Sequence, residues 1–392
     1  MNTILLGFKT QLKINNKQHS ILLQHCGVAR HAWNWGLALT LNILEHNKHN
    51  PEDKIKFPTA IDIHKWCVAL VKPENPWYYN LSKCAPQYSL RALISAWDRC
   101  FKKKGGRPKF KKKGRHDSFT LDGSIKVEHY KIKVPVIGWL KTYERLPAGQ
   151  RVKSVTISKQ AGKWYISWKL EVEVTTPVKT HDVVGIDLGV KNLATLSTGE
   201  VVEGAKSYSK YEHKLKKLQW FNRHKVIGSN NWKRAQLKIA RLHQYIANIR
   251  RDTLHKFTTY LTKNHSKIVI EDLNVSGMLN NHKLAKAIQD MGFFEFRRQL
   301  KYKCTLYNSE LIIIDRWYPS SKTCSSCSNK KEHLDLSERT YVCECCGLSI
   351  DRDLNAALNL AAMAERPSVS ACGVGNADIS TKKQEVTLIL RK

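Results

Sequence analysis

The sequence has no apolar run that approaches the length of a transmembrane helix, and residues 1–16 lack the apolar core and cleavage site of a signal peptide. We therefore expect an intracellular protein. In such a protein the eleven cysteines are better explained by a metal site and buried thiols than by disulfides. Six cysteines are scattered singly and are predicted to be core residues or to have no specific role: Cys26, Cys67, Cys84, Cys100, Cys304 and Cys372.

Acidic residues are scarce, with 33 Asp and Glu against 66 Lys and Arg and a formal net charge of +33. This excess is larger than solubility requires. It predicts a polyanionic partner, because neutralising phosphates releases counterions and converts charge into affinity. The alternative is a basic surface that is only solvated. A length of 392 residues, 42% of them hydrophobic, predicts two or three domains with sizeable cores.

The N-terminal half changes its hydrophobic period twice. Residues near position 5 alternate as in a strand, residues 18–101 have helical spacing, and the alternation returns over 118–173. The tripeptide Gln160-Ala161-Gly162 is the predicted turn of a hairpin. We expect the first strand to join the later strands in one barrel or sheet. A new domain is predicted to begin near Asp182, after the run "TTPVKTHD".

A strongly basic segment lies between these parts, at residues 101–115, where nine of fifteen residues are basic and none is acidic. Gly105, Gly106 and Pro108 predict a loop. Like charges at this density should keep the isolated loop mobile and let phosphates order it. Phe110 offers bases a stacking face, whereas the alternative is again plain solvation. The predicted nucleic-acid-binding residues are Lys102, Lys103, Lys104, Arg107, Lys109, Lys111, Lys112, Lys113 and Arg115.

The C-terminal half contains no proline between positions 177 and 319. Apolar residues at helical intervals over 231–261, with lysine and arginine on the other faces, predict a long basic amphipathic helix. The runs "KIVIEDL" and "ELIIIDRW" are predicted to be central strands that end in acids. The polar tail, 367–392, is predicted to be disordered.

Four cysteines form two pairs with metal-ligand spacing. Cys324 and Cys327 are separated by two residues, as are Cys343 and Cys346, and fifteen residues lie between the pairs. This spacing predicts four thiolates around one tetrahedral Zn²⁺, with a role in structure because no coordination position is left open. Cys345 could replace a neighbouring ligand, and His333 is a weaker competitor.

Three acids stand at predicted element ends. Asp187 and Glu271 end strands, and Asp353 begins a helix. Each alone could be a turn or capping residue. Together, two adjacent strands and a facing helix can hold a pair of Mg²⁺ ions about 3.5–4 Å apart, as two-metal phosphodiester cleavage requires. Asp351 is predicted to cap the helix, and the runner-up acids are Asp272 and Asp315.

At this point the order of motifs resembles one family. The motifs are "GIDLGVKNLA", "IEDLNVSGM", "RWYPSSKTCSSC", "YVCECCG" and "DRDLNAALNL". They resemble the TnpB family of transposon-encoded RNA-guided DNA nucleases, which are related to the type V CRISPR effectors. The segments "ARHAWNWGLA" and "GGRPKFKKKGRHDSFTL" extend the resemblance to nearly the whole chain. Ser328 departs from it, because the family usually has glycine after the second cysteine.

The resemblance implies a fold and a site. The fold would be an α/β RNase H-like (RuvC) domain with a zinc-ribbon insertion, preceded by a β-barrel-like wedge with a helical recognition insertion. Asp187, Glu271 and Asp353 would form the RuvC active site with two catalytic Mg²⁺ ions. The implied domains are 1–17 (wedge), 18–117 (recognition, with the basic loop), 118–180 (wedge), 181–318 (RuvC-like), 319–349 (zinc ribbon that binds target nucleic acid), 350–366 (RuvC-like) and 367–392 (tail).

The resemblance also implies partners. These are a guide RNA from the protein's own element and a double-stranded DNA target with a short target-adjacent motif, in the cytoplasm of a prokaryotic cell and associated with its nucleoid. Two other hypotheses stay open at this point: a guide-dependent DNA-binding repressor that does not cut, and an accessory transposase.

Overall fold

The structure is a computed structural model that describes residues 2–147, 149, 151–335, 337–364 and 386–388. The chain divides into two compact units, formed mainly by Leu5–Val172 and by Glu173–Gln384. We call them the first and the second unit. The division falls just before the domain start predicted near Asp182. Except for 386–388, the tail predicted to be disordered lies outside the described residues.

A β-sheet forms one part of the first unit. Its strand order is β2-β6-β7-β1-β5-β4-β3, and Val386–Leu388 pairs in parallel with β1. The first strand therefore joins the later strands, as predicted. Ala161 and Gly162 have φ angles of 48° and 78°, the left-handed conformation that a two-residue hairpin turn needs. The strands are β1 (Asn2–Lys13), β2 (Ser118–Asp122), β3 (Lys126–Glu128), β4 (Lys131–Val134), β5 (Gly138–Thr142), β6 (Ser154–Gln160) and β7 (Lys163–Val174).

Helices form the rest of the first unit. They confirm the predicted helical subdomain and pack around a core that includes Leu37, Leu90, Leu93 and Trp97. The first helix starts at a capping box, in which Asn15 and Gln18 exchange side-chain to backbone hydrogen bonds. The helices are α1 (Asn16–His49), α2 (Ala60–Trp66), α3 (Lys72–Glu74) and α4 (Cys84–Phe101), with a π-helical turn at Cys67–Val71 and a 3₁₀ turn at Pro76–Tyr78.

The basic segment forms the predicted loop, but part of it is fixed on α1. Trp33 Nε1 donates a hydrogen bond to the carbonyl of Lys109 (3.0 Å), and the Asn34 amide exchanges two hydrogen bonds with the backbone of Lys111 (2.8 and 3.0 Å). Lys111 Nζ lies 3.8 Å from the centroid of a Trp33 ring, and burial lowers the pKa of Lys111. For Lys109 and Lys111, α1 therefore supplies partners without any phosphate.

A five-stranded sheet forms the centre of the second unit. Its order is β10-β9-β8-β11-β12, in which β8, β11 and β12 are parallel and β9 and β10 are antiparallel additions. The run "KIVIEDL" is a central strand, as predicted. The run "ELIIIDRW" is instead the edge strand, and its side chains are only partly buried. The strands are β8 (His181–Asp187), β9 (Ala194–Leu196), β10 (Val201–Val202), β11 (His265–Glu271) and β12 (Glu310–Ile314).

Six helices accompany this sheet in the part of the second unit that the structure describes. The longest confirms the amphipathic helix predicted over 231–261. A two-stranded hairpin, β13 (Thr340–Val342) and β14 (Ser349–Asp351), precedes the last helix. The helices are α5 (Ser207–Arg223), α6 (Asn230–Asn264), α7 (Val275–Met278), α8 (Ala285–Met291), α9 (Phe293–Tyr307) and α10 (Arg352–Ala362).

Gly185 lets α10 lie directly against β8. A Cβ atom at this position would be 2.0 Å from the carbonyl oxygen of Ala357 and 2.4 Å from the amide nitrogen of Ala361. Real Cβ atoms do not approach backbone atoms so closely, so only glycine fits. Gly185 lies two residues before Asp187, and α10 carries Asp353. The contact therefore sets the separation of two predicted active-site acids.

Gly185→Ala should destabilise the second unit by at least about 3 kcal/mol, because the added methyl group meets backbone that cannot change rotamer. We expect the thermal transition of this unit to fall by roughly 6 °C or more. Thermal unfolding followed by circular dichroism measures the change. Gly106→Ala is the control, since a Cβ there extends into open space. Equal melting of wild type and Gly185→Ala would show that α10 does not depend on this contact.

Candidate active site and cysteine cluster

The three predicted acids lie close together where the parallel strands of the second-unit sheet end. We call this side of the sheet, formed by the carboxyl ends of these strands, its carboxyl edge. Asp187 and Glu271 are the last residues of the parallel neighbours β8 and β11, which the register pairs at Ile186 and Ile270. Asp353 lies in the first turn of α10, the helix packed on β8 through Gly185. All three side chains are half-buried. The fold thus brings together acids that are separated by more than eighty residues in sequence.

The electrostatics of Asp187 report this proximity. Burial, followed by repulsion from the carboxylates of Glu271 and Asp353, raises its pKa to about 7. Burial also raises the pKa of Glu271, against a hydrogen bond from Ser320 that lowers it. Half-buried carboxylates that repel one another favour a bound cation, since a cation stabilises the charged form. Their oxygen donors are of the kind that Mg²⁺ binds.

The other acids nearby have different partners. Asp351 accepts hydrogen bonds from the amides of Asp353 (2.9 Å) and Leu354 (3.1 Å), which confirms its predicted role as the cap of α10. The runner-up Asp272 is paired with Arg316 and Arg297, and their hydrogen bonds hold its pKa below the usual range. The runner-up Asp315 is exposed.

Ser320 is a site residue that the sequence analysis does not identify. Its buried hydroxyl donates a hydrogen bond to Glu271 Oε1. The Asn359 amide donates to the carbonyls of Ser320 (2.8 Å) and Thr323 (2.6 Å). Glu271 is therefore connected through Ser320 to α10, which carries Asp353. The signal for this network was the pair of asparagines in "DRDLNAALNL", which lie four residues apart on the buried face of α10.

The four predicted cysteines form one cluster. Their sulfur atoms all lie within 4.8 Å of one another, with Cys324–Cys346 at 3.6 Å and Cys327–Cys343 at 3.5 Å. Four ligands at a Zn–S distance of about 2.3 Å in a tetrahedron are about 3.8 Å apart, so the cluster fits zinc. It does not fit disulfides, whose S–S distance is about 2.05 Å. Neither Cys345 nor His333 belongs to the cluster.

Backbone conformation supports the two cysteine turns. Ser328 follows the first pair with φ of 60°, and Gly347 follows the second with φ of 74°. A left-handed residue is thus needed after each pair, which explains the glycine that is usual at the position of Ser328 in the resembling family. Serine adopts this conformation at a modest energetic cost.

The cysteine cluster is attached to the helix that carries Asp353. The Asn355 amide donates to the carbonyl of Thr323 (2.7 Å), and its oxygen accepts from the amide of Ser325 (2.9 Å). These residues flank Cys324. Asn355 is fully buried, so both bonds are protected from water. The first cysteine turn is therefore fixed on α10 at Asn355, two residues after Asp353.

Among the described residues, the four cysteines are the one set of three or more potential metal ligands close enough to share a single ion. The acids do not form such a set. Two-metal catalysis distributes its ligands over two ions about 3.5–4 Å apart, so it does not require one shared ligand shell.

Three family models match the chain. "Probable transposase" matches residues 166–282, "Cas12f1-like, TNB domain" matches 293–360, and "Helix-turn-helix domain" matches 1–49. The second match spans α9, the cysteine cluster and most of α10. The third stretch is folded as strand β1 followed by the single continuous helix α1, and not as two helices joined by a turn.

Relatives that cover most of the chain are also found. The chain is 36% identical over 406 residues to "Putative RNA-guided DNA endonuclease InsQ" of Escherichia coli (strain K12), covering 99% of this chain and 98% of that protein. It is 39% identical over 307 residues to "Putative RNA-guided DNA endonuclease" of Streptomyces pristinaespiralis, covering 76% and 74%. A solved CRISPR-Cas12f ternary complex aligns with 14% identity and a TM-score of 0.36, covering 88% and 82%. Within the described residues, no helix has the length and apolar character that crossing a membrane requires.

Proposed function

The chain belongs to the TnpB family, and on this premise we propose that it is an RNA-guided DNA endonuclease of a transposable element. Its partners are a guide RNA from that element and a double-stranded DNA target. Base pairing with the guide reads the target sequence, while the protein reads backbone shape and a short target-adjacent motif. The observation that carries the proposal is the meeting of Asp187, Glu271 and Asp353 at the carboxyl edge. The protein acts in the cytoplasm of a prokaryotic cell, at the nucleoid.

The domain assignment belongs to this proposal. In the second unit, the sheet and helices of 181–318 and 350–366 are the RuvC-like nuclease on an RNase H-like fold, and 319–349 is the zinc ribbon. The mixed five-stranded sheet with the acids at its carboxyl edge supports this. In the first unit, 1–17 and 118–180 form the wedge and 18–117 the recognition part. The joining of β1 to the later strands in one sheet supports that division.

In the mechanism, Asp187, Glu271 and Asp353 would hold two Mg²⁺ ions. Asp187 is the acid whose pKa both of the others raise, so the three carboxylates lie close enough to interact. Ser320 fixes the orientation of Glu271, and Asp351 holds the N-terminus of α10 so that Asp353 faces the carboxyl edge. Bound Mg²⁺ supplies neutralisation of charge at the scissile phosphate and activation of the attacking water. Zn²⁺ at the four cysteines is structural.

The function is tested by purifying the protein after expression with the DNA that flanks its gene, and sequencing the RNA that accompanies it. We expect one discrete RNA with a constant part and a variable end. Mg²⁺-dependent cutting of a plasmid that matches the variable end then separates an endonuclease from a repressor, which would bind the plasmid without cutting it. Random cellular RNA in place of a discrete species would contradict the proposal.

Ser320→Ala should reduce the cleavage rate by about 10–100-fold, the usual effect of removing a residue that orients a metal ligand. Its zinc content should stay at the wild-type level, because the cysteines and their contacts with Asn355 are unchanged. Single-turnover cleavage and metal analysis of the same preparation measure both quantities. A wild-type cleavage rate would show that the hydrogen bond to Glu271 has no part in catalysis.

Replacing Lys112 and Lys113 by glutamine should weaken nucleic-acid binding and flatten its salt dependence. The slope of log K against log salt falls by about one unit for each phosphate contact that is lost. Both side chains are exposed. Lys111→Gln is the comparison variant, since Lys111 lies over Trp33 and is less available to phosphate, so the slope should change less than in the double variant. An unaltered slope in the double variant would assign the loop to solvation alone.

A further inference from the structure

A cavity of about 350 Å³ opens beside Glu271 in the second unit. Its volume is in the range of pockets that bind small ligands. Most of its wall is apolar and is formed by Leu188, Leu273, Val275, Phe293 and Phe294. Phe293 is buried, whereas the neighbouring Phe294 is 71% exposed. An aromatic ring this exposed at an apolar cavity offers a free face for a flat ligand.

Two arginines line the same cavity and share one carboxylate. Arg297 pairs with one oxygen of Asp272, and Arg316 pairs with the other. Their side chains are 43% and 41% exposed, so each guanidinium keeps donors that face solvent. Two positive charges against one negative charge leave a net attraction for an anion. Asp272 also holds both arginines in place before a ligand arrives, which reduces the entropy lost on binding.

Glu271 connects this cavity to the acids, because its side chain belongs to both. A ligand that suits the cavity has a flat apolar part for Phe294, an anionic group for the arginines, and a continuation towards Glu271. A nucleotide within a DNA strand has all three. Base stacking on an aromatic ring tolerates any sequence, and guanidinium groups bind phosphate oxygens with two parallel hydrogen bonds.

We propose that this cavity binds one unpaired nucleotide of the cut DNA strand next to the scissile phosphate, with its base against Phe294 and its phosphate on Arg297 and Arg316. The inference rests on the proposed function and adds to it a binding site for substrate. The site anchors the unpaired strand beside the acids without reading its sequence. Asp272 is then a positioning residue for the two arginines.

The test uses a series of matched DNA targets, each of which has a single abasic site at a different position in the cut region. For the wild-type protein, we expect one position at which removal of the base slows cleavage about tenfold or more, the loss of one stacked base. The Phe294→Ala protein should cut the intact target more slowly than the wild type by a similar factor. An abasic site at the sensitive position should not slow this variant further. Phe221→Ala, which removes an exposed ring of α5, should keep the wild-type profile.

A second measurement uses binding alone. In the Asp187→Ala protein, with guide RNA and a target that carries 2-aminopurine at the sensitive position, stacking should change the fluorescence of the base. The change should be absent when Phe294→Ala is added, and Arg316→Ala should weaken it.

The inference is overturned if the wild-type protein cuts every abasic target at one rate, or if Phe294→Ala keeps the position-specific loss. Failure of the proposed function has a different signature, because the wild-type protein would then not cut intact matched DNA at all.

Discussion

Asp187→Ala abolishes cutting of guide-matched DNA, with an expected fall in rate of about a thousandfold or more. The size follows from the several kcal/mol of charge stabilisation that catalytic metal ions supply, at 1.36 kcal/mol for each factor of ten. Glu271→Ala and Asp353→Ala should have effects of the same order, because in the proposed mechanism the three side chains would hold the same pair of ions. Single-turnover cleavage of a matched plasmid in Mg²⁺ measures the loss.

Binding should survive these substitutions. The acids lie at the carboxyl edge and repel phosphate, so their removal takes away no attractive contact with nucleic acid. Gel-shift affinity of the guide complex for matched target is therefore expected to stay within a few-fold of wild type. Asp315→Ala is the control acid, since Asp315 is exposed at the end of β12 and is not part of the site. Wild-type cutting by Asp187→Ala would reject the site.

Cys324→Ser should prevent zinc binding at the cysteine cluster and destabilise residues 319–349, which contact α10. Wild-type protein should contain about one zinc per chain, and the variant about none. Structural zinc contributes its binding free energy directly to folding, about 10–16 kcal/mol in isolated zinc-finger peptides. We therefore expect a lower thermal transition and increased proteolysis within 319–349.

Loss of zinc should also lower the rate of DNA cleavage. Cys324 lies between Thr323 and Ser325, whose backbone groups are bonded to Asn355 of α10. Disorder at this turn removes contacts that hold α10 and, through Ser320, Glu271. Cys345→Ser is the matched control, because Cys345 is exposed and lies outside the cluster. It should keep zinc, stability and cutting. Zinc-free protein that folds and cuts like the wild type would contradict the structural role.

Local patterns predicted the elements that depend on local sequence. The hairpin at Gln160–Gly162 follows from its turn residues, α6 from its helical spacing, and the cysteine cluster from the knuckle spacing of its two pairs. The three acids could be chosen because strand ends and a helix start are visible in sequence. Their meeting at the carboxyl edge requires β8 and β11 to be adjacent, as the sequence led us to expect, and also parallel, which only the structure shows.

Features that depend on tertiary contacts were not predicted. The run "ELIIIDRW" is as apolar as a central strand, but its position at the sheet edge is decided by which strand it pairs with. The loop at Lys111 looked mobile because its charge density is visible in sequence, whereas its contact with Trp33 of α1 is not. The roles of Ser320 and Phe294 were also not predicted, since a single serine or phenylalanine has no periodicity and acquires its role only from its neighbours in space.

The most direct test of the central claim compares two plasmids in one experiment. The protein, purified with the RNA of its own element, is incubated in Mg²⁺ with a plasmid that carries a match to the guide and with one that does not. We expect that the wild-type protein cuts only the matched plasmid and that Asp187→Ala cuts neither. Equal cutting of both plasmids, or cutting of the matched plasmid by Asp187→Ala, would contradict it.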